Sequence, residues 1–320
     1  MDNRSEVSAF LTSRRARLSP AAAGVPSDGT ARRVPGLRRR EVAELAGMSI
    51  EYYTRLERGA IAGVSDSVLA AVARALQLDP AEQDHLYDLA RAAGRRPAQS
   101  PRPRPTVSPE LHALLDSITG GPAFVRNDRL DILAANLLGR AVYSDLFEDP
   151  RTPPNLARYA FLDPRARQFY PDWDKAAEDT VRILRASSGR DPYDARLTAL
   201  VGELSVHSED FARRWAAYQV KRHVAGRKLF HHPQVGDLHL TYQVLELPSD
   251  PGYSLLVYTP VPGTGTAEAL AMLASWAVTD AKERPAAASA AGTIPAAAAA
   301  AAAGAAAAAA AAAGAAAGEP

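Results

Sequence analysis

Ile50, Glu51, Thr54, Arg55 and Arg58 are spaced so that a single helix would show them on one side. Their chemistry matches the edges of base pairs. Arg55 can donate two hydrogen bonds to guanine O6 and N7, worth about 1–3 kcal/mol of discrimination against a wrong base. Glu51 can accept from cytosine N4, and Ile50 can meet a thymine methyl group. Ser49 and Tyr52 stand beside them at the start of the same stretch. Upstream, Arg38, Arg39 and Arg40 crowd the start of a preceding helix, where they suit phosphate oxygens better than base edges. Any one of these arginines alone is equally well a solvated surface charge.

The elements that must position them are legible around "LAGMSIEYYTRLERG", Leu45 to Gly59. An interior glycine costs a helix about 1 kcal/mol relative to alanine, so the stretch reads as two helices and a turn. Gly47 ends the first in the left-handed conformation, Ser49 caps the second, and Gly59 stops it. Two short helices joined in this way are a helix-turn-helix. Tyr53 and Leu56 then share a buried face against Val42 and Ala46. A first helix is expected over Ser8–Arg17, a fourth capped at Ser65, and a fifth from Pro80 to Gly94. The result is an all-α, five-helix, DNA-binding unit over residues 1–94. From Met1 to Arg58 there are eleven arginines, no lysine and seven acidic residues, an excess of four positive charges in a chain whose net charge is only +1. That excess points mildly to a polyanion. Arg32 and Arg33, in the loop "ARRVPG", are placed either to enter an adjacent minor groove or simply to be solvated.

Residues 95–109, "RRPAQSPRPRPTVSP", are rich in proline and arginine and read as an extended linker. From 110 to 280 the pattern changes. Five strand-like segments, "PAFVRN", "LDILAAN", "GRKLFHH", "DLHLTYQVLEL" and "YSLLVYTPV", fall in the order two strands, helices, three strands, helix. This predicts an α+β domain with an antiparallel sheet and helices. Its helices are expected over "WDKAAEDTVRILRASSG", over "DARLTALVGELSVHSEDFARRWAAYQV" as one helical stretch, and over "TGTAEALAMLASWAVTD". Residues 281–320 are alanine with scattered glycine, a low-complexity tail without chemistry.

Several functions are disfavoured. There is no cysteine, hence no disulfide, thiolate metal site or cysteine nucleophile. His223, His231, His232 and His239 match no metal-ligand spacing, and neither a Gly-rich phosphate loop nor a G-x-S-x-G elbow is present. No enzyme, cofactor or metal is expected. The opening "MDNRSEVSAFLTSRRARL" is not a secretory signal, and no membrane span is read, so a cytoplasmic protein is expected.

The stretch "PGLRRREVAELAGMSIEYYTRLERG" resembles the DNA-binding helices of phage-repressor-type helix-turn-helix proteins. With "DILAAN", "NLARYAFLDPRARQFYPDWDKAAEDTVRILR", "FARRWAAYQV" and "HHPQVGDLHLTYQVLELP", the chain resembles, over about residues 8–280, the MmyB-like transcription regulators. The resemblance implies that positions 50, 51 and 55 face bases and that Arg39 lies by the DNA backbone. It implies a PAS-like C-terminal domain with a small-molecule pocket, for which a fatty acid is one precedent. Leu130, Ile132, Leu133, Phe124 and Val125 are expected to line its apolar wall, and Phe124, Leu133, Asn136, Arg158, Tyr159, His232 and Tyr242 are the candidate ligand contacts, each with a plain packing or capping role as its alternative. Ala135 departs from the family, where relatives often carry Trp in "LAWN". The partners so implied are double-stranded DNA, a small molecule, a second copy of the chain and RNA polymerase. A domain that only dimerises remains the open alternative to a sensor.

Overall fold

Asp2, Ser49 and Asp79 each open a helix by accepting a free amide proton of its first turn, whereas Ser65, the expected cap of the fourth helix, starts it without such a side-chain bond. The structure, a computed structural model, describes residues 2–26, 36–94, 107–148, 153–218 and 225–291. Among these, the N-terminal helices are α1 (Asn3–Arg17), α2 (Arg39–Leu45), α3 (Ile50–Glu57), α4 (Asp66–Ala75) and α5 (Pro80–Ala93). Asp2 caps α1, so this helix begins five residues before the expected Ser8. Asp79 and Glu82 form a reciprocal capping box at α5, with Pro80 in the first turn. Phe10, Val42, Tyr53, Leu69 and Leu86 meet in one core. Each fully buried side chain of this size contributes about 1.5–3 kcal/mol.

The second region contains α6 (Pro109–Ser117), β1 (Ala123–Asn127), β2 (Ile132–Ala135), α7 (Leu137–Val142), α8 (Ser144–Phe147), α9 (Leu156–Leu162), α10 (Ala166–Phe169) and α11 (Trp173–Arg190). Then follow α12 (Ala195–His207), α13 (Glu209–Ala216), β3 (Ala225–His232), β4 (Gly236–Glu246), β5 (Tyr253–Pro260) and α14 (Thr266–Ala291). All five expected strands form, in one antiparallel sheet ordered β2-β1-β5-β4-β3. The stretch expected as one helix after Asp194 is two. Ser208 is extended (φ −141°, ψ 108°), and its hydroxyl accepts from the Phe211 amide, so it caps α13 instead of continuing α12. The closing helix also runs on to Ala291, beyond the expected limit at 280. Residues 95–106 of the expected linker and the tail beyond 291 lie outside the described residues, and the linker ends earlier than expected, because Ser108 caps α6 and Pro109 opens it.

Strand alternation sorts the two sheet faces. Phe124, Phe230, Leu240 and Tyr258 point to a face covered by helices, in a core that includes Tyr143, Phe169 and Leu270. Ala123, Val125 and Leu255 point the other way, against Leu111 and Leu115 of α6. Between Val125 and Arg126 the β1–β2 register shifts, leaving Leu133 as the extra residue of a bulge.

Candidate nucleic-acid interface and ligand cavity

Gly47 has φ +66°, the left-handed value that the turn between α2 and α3 requires. The Ser49 hydroxyl accepts from the Tyr52 amide at 3.1 Å and caps α3. Tyr53, Leu56 and Glu57 fall on the buried side of α3, while Ile50, Glu51, Arg55 and Arg58 are exposed and Tyr52 and Thr54 half-buried. The expected base-reading row therefore stands free on one face.

Glu57, two residues before the stop at Gly59, is the keystone of this unit. The Glu57 carboxylate, 1 % exposed, accepts from Arg15 Nε and Nη2 at 2.9 Å each, from Arg39 Nε at 3.1 Å and from the Thr12 hydroxyl at 3.2 Å. Burial pushes its pKa up, but the hydrogen bonds and charges of Arg15 and Arg39 outweigh burial and hold it below the ordinary carboxylate value. A signal was available: Tyr53, Leu56 and Glu57 follow i, i+3, i+4 spacing, so the carboxylate lies on the core stripe. Arg39 is thus half committed to the fold and half exposed. Arg38 caps α2 through its backbone, donating to Glu41 Oε2 at 2.7 Å. Arg40 is exposed beside Glu44 at 3.5 Å. Arg32 and Arg33 lie outside the described residues.

In the second region the structure brings together a set that shares only Leu130 with the expected lining. A small, partly open cavity of about 20 Å³ lies between the helix-covered sheet face and α11. Its wall includes Arg126, Lys228, Asp179, Tyr143, Tyr170 and Tyr258, with Leu130, Leu156, Ile183 and Leu256 among its apolar lining. Tyr143 and Tyr258 hydroxyls are 3.0 Å apart. A larger hollow of about 470 Å³ opens at the β5–α14 loop, but Glu268 is its only charged lining residue.

None of the seven expected ligand contacts lines that cavity. Asn136 caps α7 and also binds the Ala123 amide and the Ile118 and Gly121 carbonyls. Arg158 is held in a bidentate pair by Glu203. His232 is 1 % exposed, with Nε2 3.2 Å from the Ala141 carbonyl and Nδ1 accepting from the Gln234 amide. Leu133 faces α6. Phe124 and Tyr159 pack among aromatic rings behind the cavity. Tyr242 comes nearest, with the Lys228 ammonium 5.7 Å from its ring. Arg126 and Lys228 were missed, although strict alternation puts them on the faces of Phe124 and Phe230.

The two regions are joined by a buried polar contact that no local pattern announces. Arg185 of α11 pairs with Glu6 of α1 at 2.9 and 3.1 Å and donates to the Trp215 carbonyl at 2.6 Å. Its guanidinium lies between the rings of Trp215 (3.6 Å) and Tyr218 (4.1 Å). The Tyr218 hydroxyl donates to Glu6 Oε2 at 2.8 Å, and Arg14 donates to the Tyr218 carbonyl at 2.7 Å. His85 of α5 faces Gly189 of α11 so closely that a Cβ on residue 189 would overlap its ring. Burial, then the charges of Arg185 and Arg14, holds His85 down to about 3. One helix, α11, thus walls the cavity with Ala176, Asp179, Thr180 and Ile183 and grips the N-terminal region with Arg185 and Gly189.

Among the described residues no group of three His, Asp or Glu side chains is placed to hold a metal, and no helix is long and apolar enough to cross a membrane. His223 lies outside the described residues. The MmyB-like transcription regulator ligand binding domain matches residues 107–273, and a helix-turn-helix domain matches residues 6–86. No curated protein matches the chain.

Proposed function

Because this chain belongs to the MmyB-like transcription regulators, with a helix-turn-helix domain ahead of a ligand-binding domain and no enzyme family matched, we propose that it reads a specific DNA site with α3 and adjusts that binding to a small amphipathic molecule. The observation that carries the DNA reading is the exposed row Ile50, Glu51, Arg55 and Arg58 on a helix whose opposite side is buried. Arg55 reads guanine, Glu51 cytosine and Ile50 a thymine methyl, with Tyr52 and Thr54 beside them. Ser49, Arg38, Arg39 and Arg40 hold phosphates, and Arg32 and Arg33 reach the minor groove. Arg55→Ala should weaken binding to the specific operator far more than to random duplex; equal loss on both refutes base reading. Arg40→Ala should weaken both and flatten the slope of log K against log salt by about 0.9.

The C-terminal domain is read as PAS-like, a reading that the β2-β1-β5-β4-β3 order supports. A fatty-acid-like ligand suits a wall that mixes Leu130, Leu156, Ile183 and Leu256 with phenol groups. Ligand control needs unequal affinity for two states of the protein. The route to DNA runs through α11, which touches both the cavity and the N-terminal region, besides the linker. Met272 and Trp276 stand 51 % and 44 % exposed one turn apart on α14 and favour a homodimer. Such a dimer would address half-sites about 34 Å apart or multiples of that. RNA polymerase is the further partner of this reading.

A further inference from the structure

We propose that the contact between the helix-turn-helix unit and the second region sets which half-site spacing the protein accepts, with Tyr218, Arg185 and Gly189 as specificity-determining residues that never touch DNA. This rests on the reading of the chain as a dimer on paired half-sites and adds what fixes the distance between them. A proline-rich linker the length of residues 95–106 reaches about 37 Å, at about 3.1 Å per residue, and by itself sets no angle between the regions it joins. The buried contact sets that angle.

Three points of attachment fix the geometry. Arg185 of α11 binds the Glu6 carboxylate near the start of α1. The Tyr218 carbonyl accepts from Arg14, about two turns further along the same helix. Gly189 of α11 rests against the His85 ring on α5, off the line of the first two. Three contacts that do not share a line fix both the tilt and the rotation of one body on another. Their chemistry makes the fit specific. Glu6 and Arg185 are almost fully buried, so a shifted contact leaves both charges without a partner, and setting register is the best-attested role of such pairs. Tyr218 belongs to the second region, yet its ring lies in the core of the first, 5.8 Å from the Phe10 ring. Its φ of +48° is a value that tyrosine seldom takes. Such strain persists where the surroundings over-determine a residue, and here α1 binds both the hydroxyl and the carbonyl.

The contact aims α3 and does not mask it. Glu6, Phe10 and Arg14 occupy one face of α1. Arg4, Thr12 and Arg15 occupy the opposite face, where they hold the end of α3 through the Arg58 carbonyl and the Glu57 carboxylate. The second region and α3 therefore lie on opposite sides of α1, and Ile50, Glu51, Arg55 and Arg58 stay exposed in the docked chain. A dimer of such bodies holds its two α3 helices at one distance and one rotation. DNA advances about 34 Å in each turn of about 10 base pairs. A spacer longer by half a turn faces the second half-site away, and one longer by a full turn carries it along the same face beyond the reach of a docked α3.

The test uses the full chain and a duplex that wild type selects from a randomised library. The duplex is remade with its spacer unchanged, lengthened by about half a turn, lengthened by about one turn, and with one half-site deleted. Fluorescence anisotropy at one salt concentration reads affinity, and analytical ultracentrifugation reads protein copies per duplex. Losing simultaneous engagement forfeits an avidity of about 10²–10⁴, so wild type should bind both lengthened duplexes at least about 100-fold more weakly than the selected one. Gly189→Leu drives a wedge between α11 and α5, since the atoms nearest to a side chain there all belong to His85. It should keep wild-type affinity for the single half-site and lose only about 3-fold on the duplex lengthened by a full turn, as a tethered unit would. Tyr218→Ala takes its place if the wedge variant does not fold. Wild type that binds the full-turn duplex as tightly as the selected one overturns the proposal and leaves the dimer reading intact. A folded wedge variant as selective for spacing as wild type overturns it too. So does loss of single-half-site affinity in both variants, which makes the contact a prop for the fold of the unit. One copy per duplex, with no gain from the second half-site, sinks the dimer reading and the proposal with it.

Discussion

Glu6→Gln tests whether the two regions move as one body. The substitution keeps the shape of the side chain and one acceptor for the Tyr218 hydroxyl, but removes the charge opposite Arg185. Both partners are almost fully buried, at 5 % and 4 % exposed, so little water can replace the lost pair. Breaking a buried pair by removing one partner costs about 3–5 kcal/mol, against about 0.3–0.5 kcal/mol for an exposed pair such as Arg40–Glu44. At about 2–4 °C per kcal/mol for a protein of this size, a 3 kcal/mol loss lowers the melting temperature by about 6–12 °C. In calorimetry the wild-type chain should melt in one transition, and Glu6→Gln should separate a helix-turn-helix transition from that of the second region. Glu6→Leu/Arg185→Met removes both charges together and should recover most of the loss. An unchanged melting temperature in Glu6→Gln, or a double variant no better than the sum of the singles, refutes the clamp.

Glu57→Gln should cost about 3 kcal/mol and abolish operator binding, read by circular dichroism and gel shift; retained binding at native stability refutes the keystone role of Glu57. Because the folded-state pKa of Glu57 is depressed, its contribution is complete above the unfolded value of about 4.3 and is lost as pH falls through the lower folded value. His85 is depressed too, so the unfolded chain takes up the proton first. Stability should fall by about 1.4 kcal/mol per pH unit from about pH 6.5 toward about pH 3, and His85→Phe should remove that part of the slope in denaturant titrations. Gly189→Ala inserts a methyl group against the His85 ring and should cost about 1–3 kcal/mol, mainly by pushing α11 from α5; a neutral effect in calorimetry would show that the contact is loose.

Much of the chain was legible because its signals are short-range. The turn at Gly47, the cap at Ser49 and the stop at Gly59 act over three or four residues, and each stands where expected. The five strands and their order along the chain followed from alternation and turn residues. The misreadings were also local in origin. Ser208 sits inside a helix-like pattern, and only its extended backbone separates α12 from α13. The expected first helix missed Asp2 as its cap. The ligand set was chosen from residues of suitable type near strand ends, and capping or pairing had already used Asn136, Arg158 and His232.

By itself, then, the sequence determined the helix-turn-helix, the exposed row on α3, the α+β character of the second region and the family. These depend on periodicity, capping and turn chemistry, which neighbouring residues carry among themselves. Only the tertiary structure decided that Glu57 holds Arg15 and Arg39, that Arg126 and Lys228 line one cavity, and that Glu6 finds Arg185 from 179 residues away. A buried charge is tolerable only beside its complement, and which residues become neighbours is settled by packing whole elements together, which no local pattern records.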